Sequence, residues 1–248
     1  MEELRLYRGI TVSESEAEMI IQEIKTNGIY QNDKQQWGGF IWKNLKSKIS
    51  TLYYKEDLTR KDTEPASQWI ERKNGGHLEY TEGELSICFA DKLGAVYYAT
   101  KHNVTKEHTV PLLITVDIAI DNLAIDGRDF LYTVFGYMDT NNLKKTKRQT
   151  KILKLLYGEK MEYYIEKIIK HPKSEKYAIC DLAIIDNEII IGHSKNQLII
   201  RGRNNTTFKS AFWGKVPIPN NQVINVERLT NISTKFIPQI TLDEILER

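Results

Sequence analysis

Glu84-Leu85-Ser86-Ile87-Cys88-Phe89 runs almost directly into Asp91-Lys92-Leu93-Gly94-Ala95-Val96-Tyr97-Tyr98-Ala99-Thr100, and this junction decides the fold class. The first segment alternates polar and apolar residues at the two-residue period of a half-buried strand. The second spaces Leu93, Val96, Tyr97 and Ala99 at near-helical intervals behind Asp91, an N-cap residue type. Upstream, Leu4, Leu6 and Tyr7 give a short strand, and Thr11 or Ser13 is expected to cap a helix that carries Ala17, Ile20, Ile21 and Ile24 and stops near Gly28. Tyr30 to Leu45 has no period and is rich in Gln, Gly and Trp, an ordered loop whose rings either stack on a ligand or fill the core. A helix around Ser67 to Arg72 ends at Asn74-Gly75-Gly76.

Downstream, Val110 to Ile120 is a second strand-forming run, followed by the Asp- and Gly-containing stretch Asp121 to Asp129. Lys151 to Lys170 reads as one amphipathic helix through Ile152, Leu155, Leu156, Tyr163, Ile165 and Ile169. Strands are then expected at Tyr177–Ile185, Glu188–Ile191, Gln197–Arg201, Thr206–Trp213 and Val223–Leu229, separated by Asn, Gly and Pro turns. The class is α+β, with helices concentrated early and sheet late. No repeat and no Gly/Ser- or Pro-rich linker divides the chain, so residues 1–248 are expected to form one domain with a basic helical insertion at about 143–176.

Lys plus Arg number 35 against 33 Asp plus Glu, a formal net charge of +2, so charge must be judged locally. Hydrophobic residues at 41% and charged residues at 27% exclude wholesale disorder. The apolar runs are far shorter than the roughly 18 residues of a membrane span, and the N-terminus lacks a basic segment followed by an apolar one, so no membrane contact is expected and the cytoplasm is the expected compartment. Cys88 and Cys180 stand alone in apolar runs, which excludes a cysteine-based zinc cage. His77, His102, His108, His171 and His193 lack ligand spacing and read as surface or capping residues, so no metal is expected.

Three segments carry chemistry when read together. Leu6-Tyr7-Arg8-Gly9 ends a strand in an arginine fork beside a glycine; a phosphate or ribose is one partner for it, solvent the other. Ser86-Ile87-Cys88-Phe89 puts a hydroxyl just before the Ala95-Val96-Tyr97-Tyr98-Ala99 helix. Phe208 to Pro219, followed by Val223-Ile224-Asn225-Val226, reads as strand, tight turn and strand.

In this order the segments resemble the ADP-ribosyltransferase family, in the Arg-Ser-Glu branch of the cholera-like toxins. That branch opens on a Tyr-Arg-Gly-like strand, continues with a Ser-x-Ser strand and an Ala-x-x-Tyr-Ala helix, and closes with a Glu-bearing strand before an Ile-Pro turn and an Ile-x-x-Val strand. Arg8, Ser86 with Cys88 at the second serine, Ala95 to Ala99, Ile218-Pro219, Val223 and Val226 match in order over most of the chain. The resemblance implies a split β-sheet core with flanking helices, NAD as co-substrate, and transfer of ADP-ribose with release of nicotinamide.

The position at which the family keeps its catalytic Glu falls on Ala211. The chain is then either a degenerate member or one in which Glu has been changed to Ala so that a toxic enzyme can be produced. The intact Arg8, Ser86 and neighbouring aromatics favour the second, and the chain as given, with Ala211, is then expected to be inactive. Glu188 is a further candidate acid, against a hairpin-turn reading. By the resemblance, Arg8 binds the pyrophosphate, Gly9 backbone groups hold the nicotinamide amide, and Ser86 orients the acid. Tyr30, Trp37, Phe89, Tyr97 and Tyr98 complete the NAD pocket, one of the tyrosines or Trp37 stacking on nicotinamide.

The acceptor is read from charge. From Leu143 to Lys176 eleven basic residues (Lys144, Lys145, Lys147, Arg148, Lys151, Lys154, Lys160, Lys167, Lys170, Lys173, Lys176) outnumber four acidic ones (Glu159, Glu162, Glu166, Glu175). Lys144, Lys145, Lys147, Arg148 and Lys151, with Trp213, are the expected acceptor contacts, and nucleic acid (RNA or DNA) is preferred over protein. A bacterial or phage-related intracellular toxin or effector, with an antitoxin protein as partner, is the expected setting. A catalytically dead binding module and an NAD-consuming, phosphate-removing RNA enzyme of the same fold are the alternatives.

Overall fold

Eleven residues, Glu3–Ser13, form β1, longer than the short strand its first leucines announce. The structure, a computed structural model, describes residues 2–30, 40–41, 85–101, 108–126, 131, 143–170, 176–195, 200–201, 207–208, 211–230, 240–241 and 244. The expected helix at Ser67–Arg72, Trp37, and His77, His102 and His171 lie outside these residues. β1 pairs along its whole length with β4 (Thr109–Ala119), from Glu3 opposite Ala119 to Ser13 opposite Thr109. β4 is the central strand of its half, buried from Leu112 through Val116 and continuous in apolar character as a strand covered on both faces must be.

The remaining strands of this sheet are β2 (Phe40–Ile41), β3 (Leu85–Ala90), β5 (Leu123–Ile125), β8 (Ala211–Val216) and β9 (Val223–Arg228). Between β5 and β8 come two further strands, β6 (Ile200–Arg201) and β7 (Thr207–Phe208), which with β10 (Ile240–Thr241) make a separate three-stranded sheet. The large sheet runs β5-β8-β3-β1-β4-β9 with every pairing antiparallel, β2 lying against β3.

The two halves of that path meet at one point. β3 matches β8 over six pairs, from Leu85 opposite Val216 to Ala90 opposite Ala211, while β3 and β1 share the single pair Tyr7 opposite Ala90. We call this junction the seam.

α1 (Ala17–Asn27) begins after Glu16, so Thr11 and Ser13 do not cap it; both belong to β1, where the alternation of Leu4, Leu6, Ile10 and Val12 continues the strand. α1 ends at Gly28 as expected, its N–H donating to Ile24 O at 2.9 Å, and Ile29 then bridges Ile218. α2 (Lys92–Lys101) is capped by Asp91, whose Oδ1 accepts from the Gly94 N–H at 2.8 Å.

The single helix expected at Lys151–Lys170 is two: α3 (Leu143–Tyr157) and α4 (Met161–Lys170). Gly158 separates them at φ +88°, the left-handed conformation that glycine adopts without steric cost and that terminates a helix. Two runs read as strands are also helices, α5 (Lys176–Ile184) and α6 (Asn187–Ser194), so helices do not concentrate early: among the described residues α3, α4, α5 and α6 all lie between β5 and β6. Both are short and their sequences offer no clean period; a continuous apolar run is compatible with either element. Asp186 fixes α6 by accepting the Glu188 N–H at 2.9 Å, and its second oxygen accepts from Tyr164 Oη of α4 at 2.7 Å.

One apolar cluster joins the sheet to α1 and to α3–α6, through Leu6, Ile24, Ile114, Phe89, Phe212, Leu153, Ile165, Ile184 and Ile190 among others. A smaller cluster, Ala90, Ala95 and Leu113 with Tyr7 and Val96, seats α2 on the opposite face of β1. His193 is wholly buried where α6 meets α3 and β8, so of the surface and capping roles expected of it the surface one fails, while its Nδ1 meets the Leu156 carbonyl in the last turn of α3 at 3.1 Å. Its ring stacks on Tyr157 with centroids 4.6 Å apart and lies 5.0 Å from Phe212.

Candidate functional site

β1 alternates. Leu4, Leu6, Ile10 and Val12 face the main core, and Tyr7, Gly9 and Thr11 face α2, where Thr11 Oγ1 donates to Ala99 O at 2.9 Å. Arg8 holds a position in the first set that the alternation reserves for an apolar side chain. A charge there is costly to desolvate unless it is hydrogen-bonded, and burial lowers the pKa of Arg8, opposed by the nearby Cys88 and Tyr98. Its Nη1 donates to the Cys88 carbonyl at 2.6 Å, across the seam. The guanidinium is thereby fixed between the two half-sheets.

Ala211 comes to the same end of the sheet. It is opposite Ala90, which is opposite Tyr7, the neighbour of Arg8, so 211 and Tyr7 stand two strand spacings apart, about 10 Å. Ser86 does not join them. It is opposite Lys215, four residues along β8 from Ala211, a displacement of about 13 Å along the strand. Cys88, two residues nearer on the same face of β3, takes the position next to the seam.

The other expected site residues divide clearly. Gly9 is not open to a ligand, because a Cβ there would lie 1.8 Å from Ala95 O; the residue is glycine so that α2 can touch β1. Phe89 is 2% exposed within the core, packed against Gly214, and offers no ring face to nicotinamide. Trp213 is 0% exposed and cannot contact an acceptor. Tyr30 donates its hydroxyl to Glu23 Oε1 at 2.9 Å. Tyr97 is half-buried and Tyr98 exposed on α2, and Tyr98 lies near enough to Arg8 to act on its charge. Glu188 is exposed in the first turn of α6 and pairs with Lys160 at 2.9 Å, a helix residue and not a hairpin turn.

The basic segment is partly neutralised. Lys154 pairs with Glu159 and Glu162, and Lys160 with Glu188. Lys147, Arg148 and Lys151 are exposed on the outer face of α3, opposite Thr146, Ile152, Leu153 and Leu156, which are buried. The side chains of Lys144 and Lys145 lie outside the described residues.

Sequence reading missed Asp126. It is buried beside Ala211, its backbone N–H donating to Ala211 O at 2.9 Å, and its Oδ2 accepts from Cys88 Sγ at 3.9 Å. The signal available was an Asp directly after the apolar Leu123-Ala124-Ile125, in a stretch noted only for its Asp and Gly content. Among the described residues no three or more His, Cys, Asp or Glu side chains are grouped to hold a metal ion, and no helix is long and apolar enough to cross a membrane. No protein-family model, curated protein or solved structure matches the chain.

Proposed function

We propose that this protein is an NAD-dependent ADP-ribosyltransferase of the toxin or effector type, acting on nucleic acid. One observation carries the reading: a half-buried arginine at an apolar position of the first strand, held at a seam where the sheet divides, with residue 211 at the same end. A divided sheet with an arginine on its opening strand is what the family resemblance implies, and the single Tyr7–Ala90 pair supports it. Cleavage of the glycosidic bond of NAD leaves positive charge on the ribose and needs fixed donors for the pyrophosphate. Arg8 is the donor, and Tyr98 on α2 is the candidate stacking ring. Cys88, nearer to 211 than Ser86 is, takes the positioning role that the resemblance gave to Ser86.

Nicotinamide release and transfer of radiolabel from NAD to separate pools of RNA, DNA and cell protein test this on the chain and on Ala211→Glu. Label is expected in nucleic acid, with Arg8→Lys reducing transfer about 100-fold, since Lys lacks the planar fork. Absence of NAD cleavage and of NAD binding in both proteins removes the reading.

The exposed Lys147, Arg148 and Lys151 are the acceptor surface in this scheme. Changing all three to Gln is expected to make the log–log salt dependence of single-strand binding shallower by about 2, at about 0.7 per phosphate contact, leaving NAD cleavage with water as acceptor unchanged. Unaltered salt dependence excludes this face. Salt-sensitive binding in a chain that never consumes NAD favours the alternative of a binding module.

A further inference from the structure

Alanine at 211 does not leave this end of the sheet without a carboxylate. Asp126 extends the β5–β8 ladder past Ile125 opposite Phe212: its N–H reaches Ala211 O, so the two residues stand opposite one another. The alternation that matches Ala124 with Trp213 turns Asp126 to the same face as Trp213 and Ala211. Cys88, opposite Trp213 on the other side of β8, shares that face, and its thiol meets Asp126 Oδ2 at 3.9 Å. Cys88 is therefore flanked twice, by the Asp126 carboxylate at its sulfur and by the Arg8 guanidinium at its carbonyl.

The two positions compete for one charge. Residues opposite one another on neighbouring strands hold their Cβ atoms about 4.5–5.5 Å apart. Asp126 is 7% exposed and Ala211 8%, and two carboxylates that close, with little water, disfavour each other's ionisation. A small residue at 211 leaves one carboxylate with the space to itself.

We propose that Asp126 is the catalytic carboxylate of this chain, moved one strand over from the family's position, and that the protein with Ala211 is active as it stands. The inference rests on the ADP-ribosyltransferase reading. In the step, the bond from ribose C1′ to the nicotinamide nitrogen breaks and its electron pair stays on that nitrogen, cancelling the pyridinium charge. C1′ takes a new bond from an acceptor oxygen or nitrogen, and the acceptor's proton passes to Asp126 and then to solvent. With water as acceptor, the products are ADP-ribose, nicotinamide and one proton.

The test is nicotinamide release from NAD, with NAD affinity measured by calorimetry, for the full chain, Asp126→Asn, Asp126→Glu, Ala211→Glu and the Asp126→Asn/Ala211→Glu double variant. The unaltered chain is expected to cleave NAD, Asp126→Asn to lower kcat about 100-fold or more with affinity within about threefold, and Asp126→Glu to recover part of the rate. Full rate in Asp126→Asn with NAD affinity retained overturns the proposal. An inactive chain made active by Ala211→Glu, with or without Asp126, also overturns it while leaving the enzyme class standing. Failure of every protein to bind or cleave NAD removes the class itself.

Discussion

Replacing Gly9 by alanine is expected to detach α2 from the sheet and to lower stability by about 3 kcal/mol or more, the upper end of what an overpacked site costs. The added Cβ would fall 1.8 Å from Ala95 O, 2.8 Å from Ala95 C and 2.9 Å from Ala99 Cβ. Two of those atoms are backbone, so no rotamer relieves the clash, and relief requires moving the helix. Thr11→Val is the comparison: it removes one hydrogen bond from the same helix, to Ala99 O, at about 1 kcal/mol. Urea midpoints for the two variants against the unaltered chain measure the difference, and equal losses would contradict the close approach. Because Tyr98 rides on α2 and Arg8 adjoins Gly9, the alanine variant is also expected to lose whatever the seam binds.

Acid is expected to remove about 3 kcal/mol of stability between pH 6.5 and 4 through one side chain, His193. Its pKa is lowered to about 4, first by burial, with the bond to the Leu156 carbonyl and the field of Asp126 acting the other way. Nδ1 lies 3.1 Å from that carbonyl, which can only accept, so the neutral ring carries its proton on Nδ1. In the unfolded chain the ring takes a proton near 6.5, whereas the folded chain resists until about 4. The stabilisation is thus complete above pH 6.5 and is lost as pH falls towards 4. Denaturation midpoints followed from pH 7.5 to 4 should show this slope, and His193→Phe should flatten it. An identical slope in His193→Phe would assign the acid sensitivity to other groups.

What could be read from the residues was whatever carried a period or a local stop. β3, its handover to α2 with Asp91 as cap, β4, and the end of α1 at Gly28 all have such marks, and each stands within a residue or two of its expected bounds. The error at 176–194 has a physical origin. α5 and α6 bury Ile179, Cys180, Ala183 and Ile184, then Ile189, Ile190 and His193, so their sequences lack the polar face that makes a helix recognisable. Asp186 before an apolar run was the overlooked cap, and Gly158 between Tyr157 and Met161 the overlooked break.

The site was legible in part for a different reason. Arg8 is singled out as an arginine beside a glycine on the opening strand, and residue 211 through the Ile218-Pro219 turn that follows it. Which mid-chain side chain stands nearest 211 depends on the register of β3 against β8. No local pattern fixes a register between strands more than a hundred residues apart, so Ser86 was expected where Cys88 and Asp126 are found. The same ladder buries Trp213, whose aromatic character alone had suggested an exposed contact.

The strand path also sets when, during synthesis, the large sheet can close. β3 has one rung in common with β1, and its long partner, β8, is translated more than a hundred residues later; β4 likewise waits for β9. Until Val216 has cleared the ribosome, β3 is an open edge, and Arg8, Cys88 and Asp126 belong to fragments not yet locked together. Non-local ladders of this kind close slowly, so a nascent or truncated chain carries Arg8 beside a β3 still unpaired on its β8 side, and the large sheet is completed in a single late event.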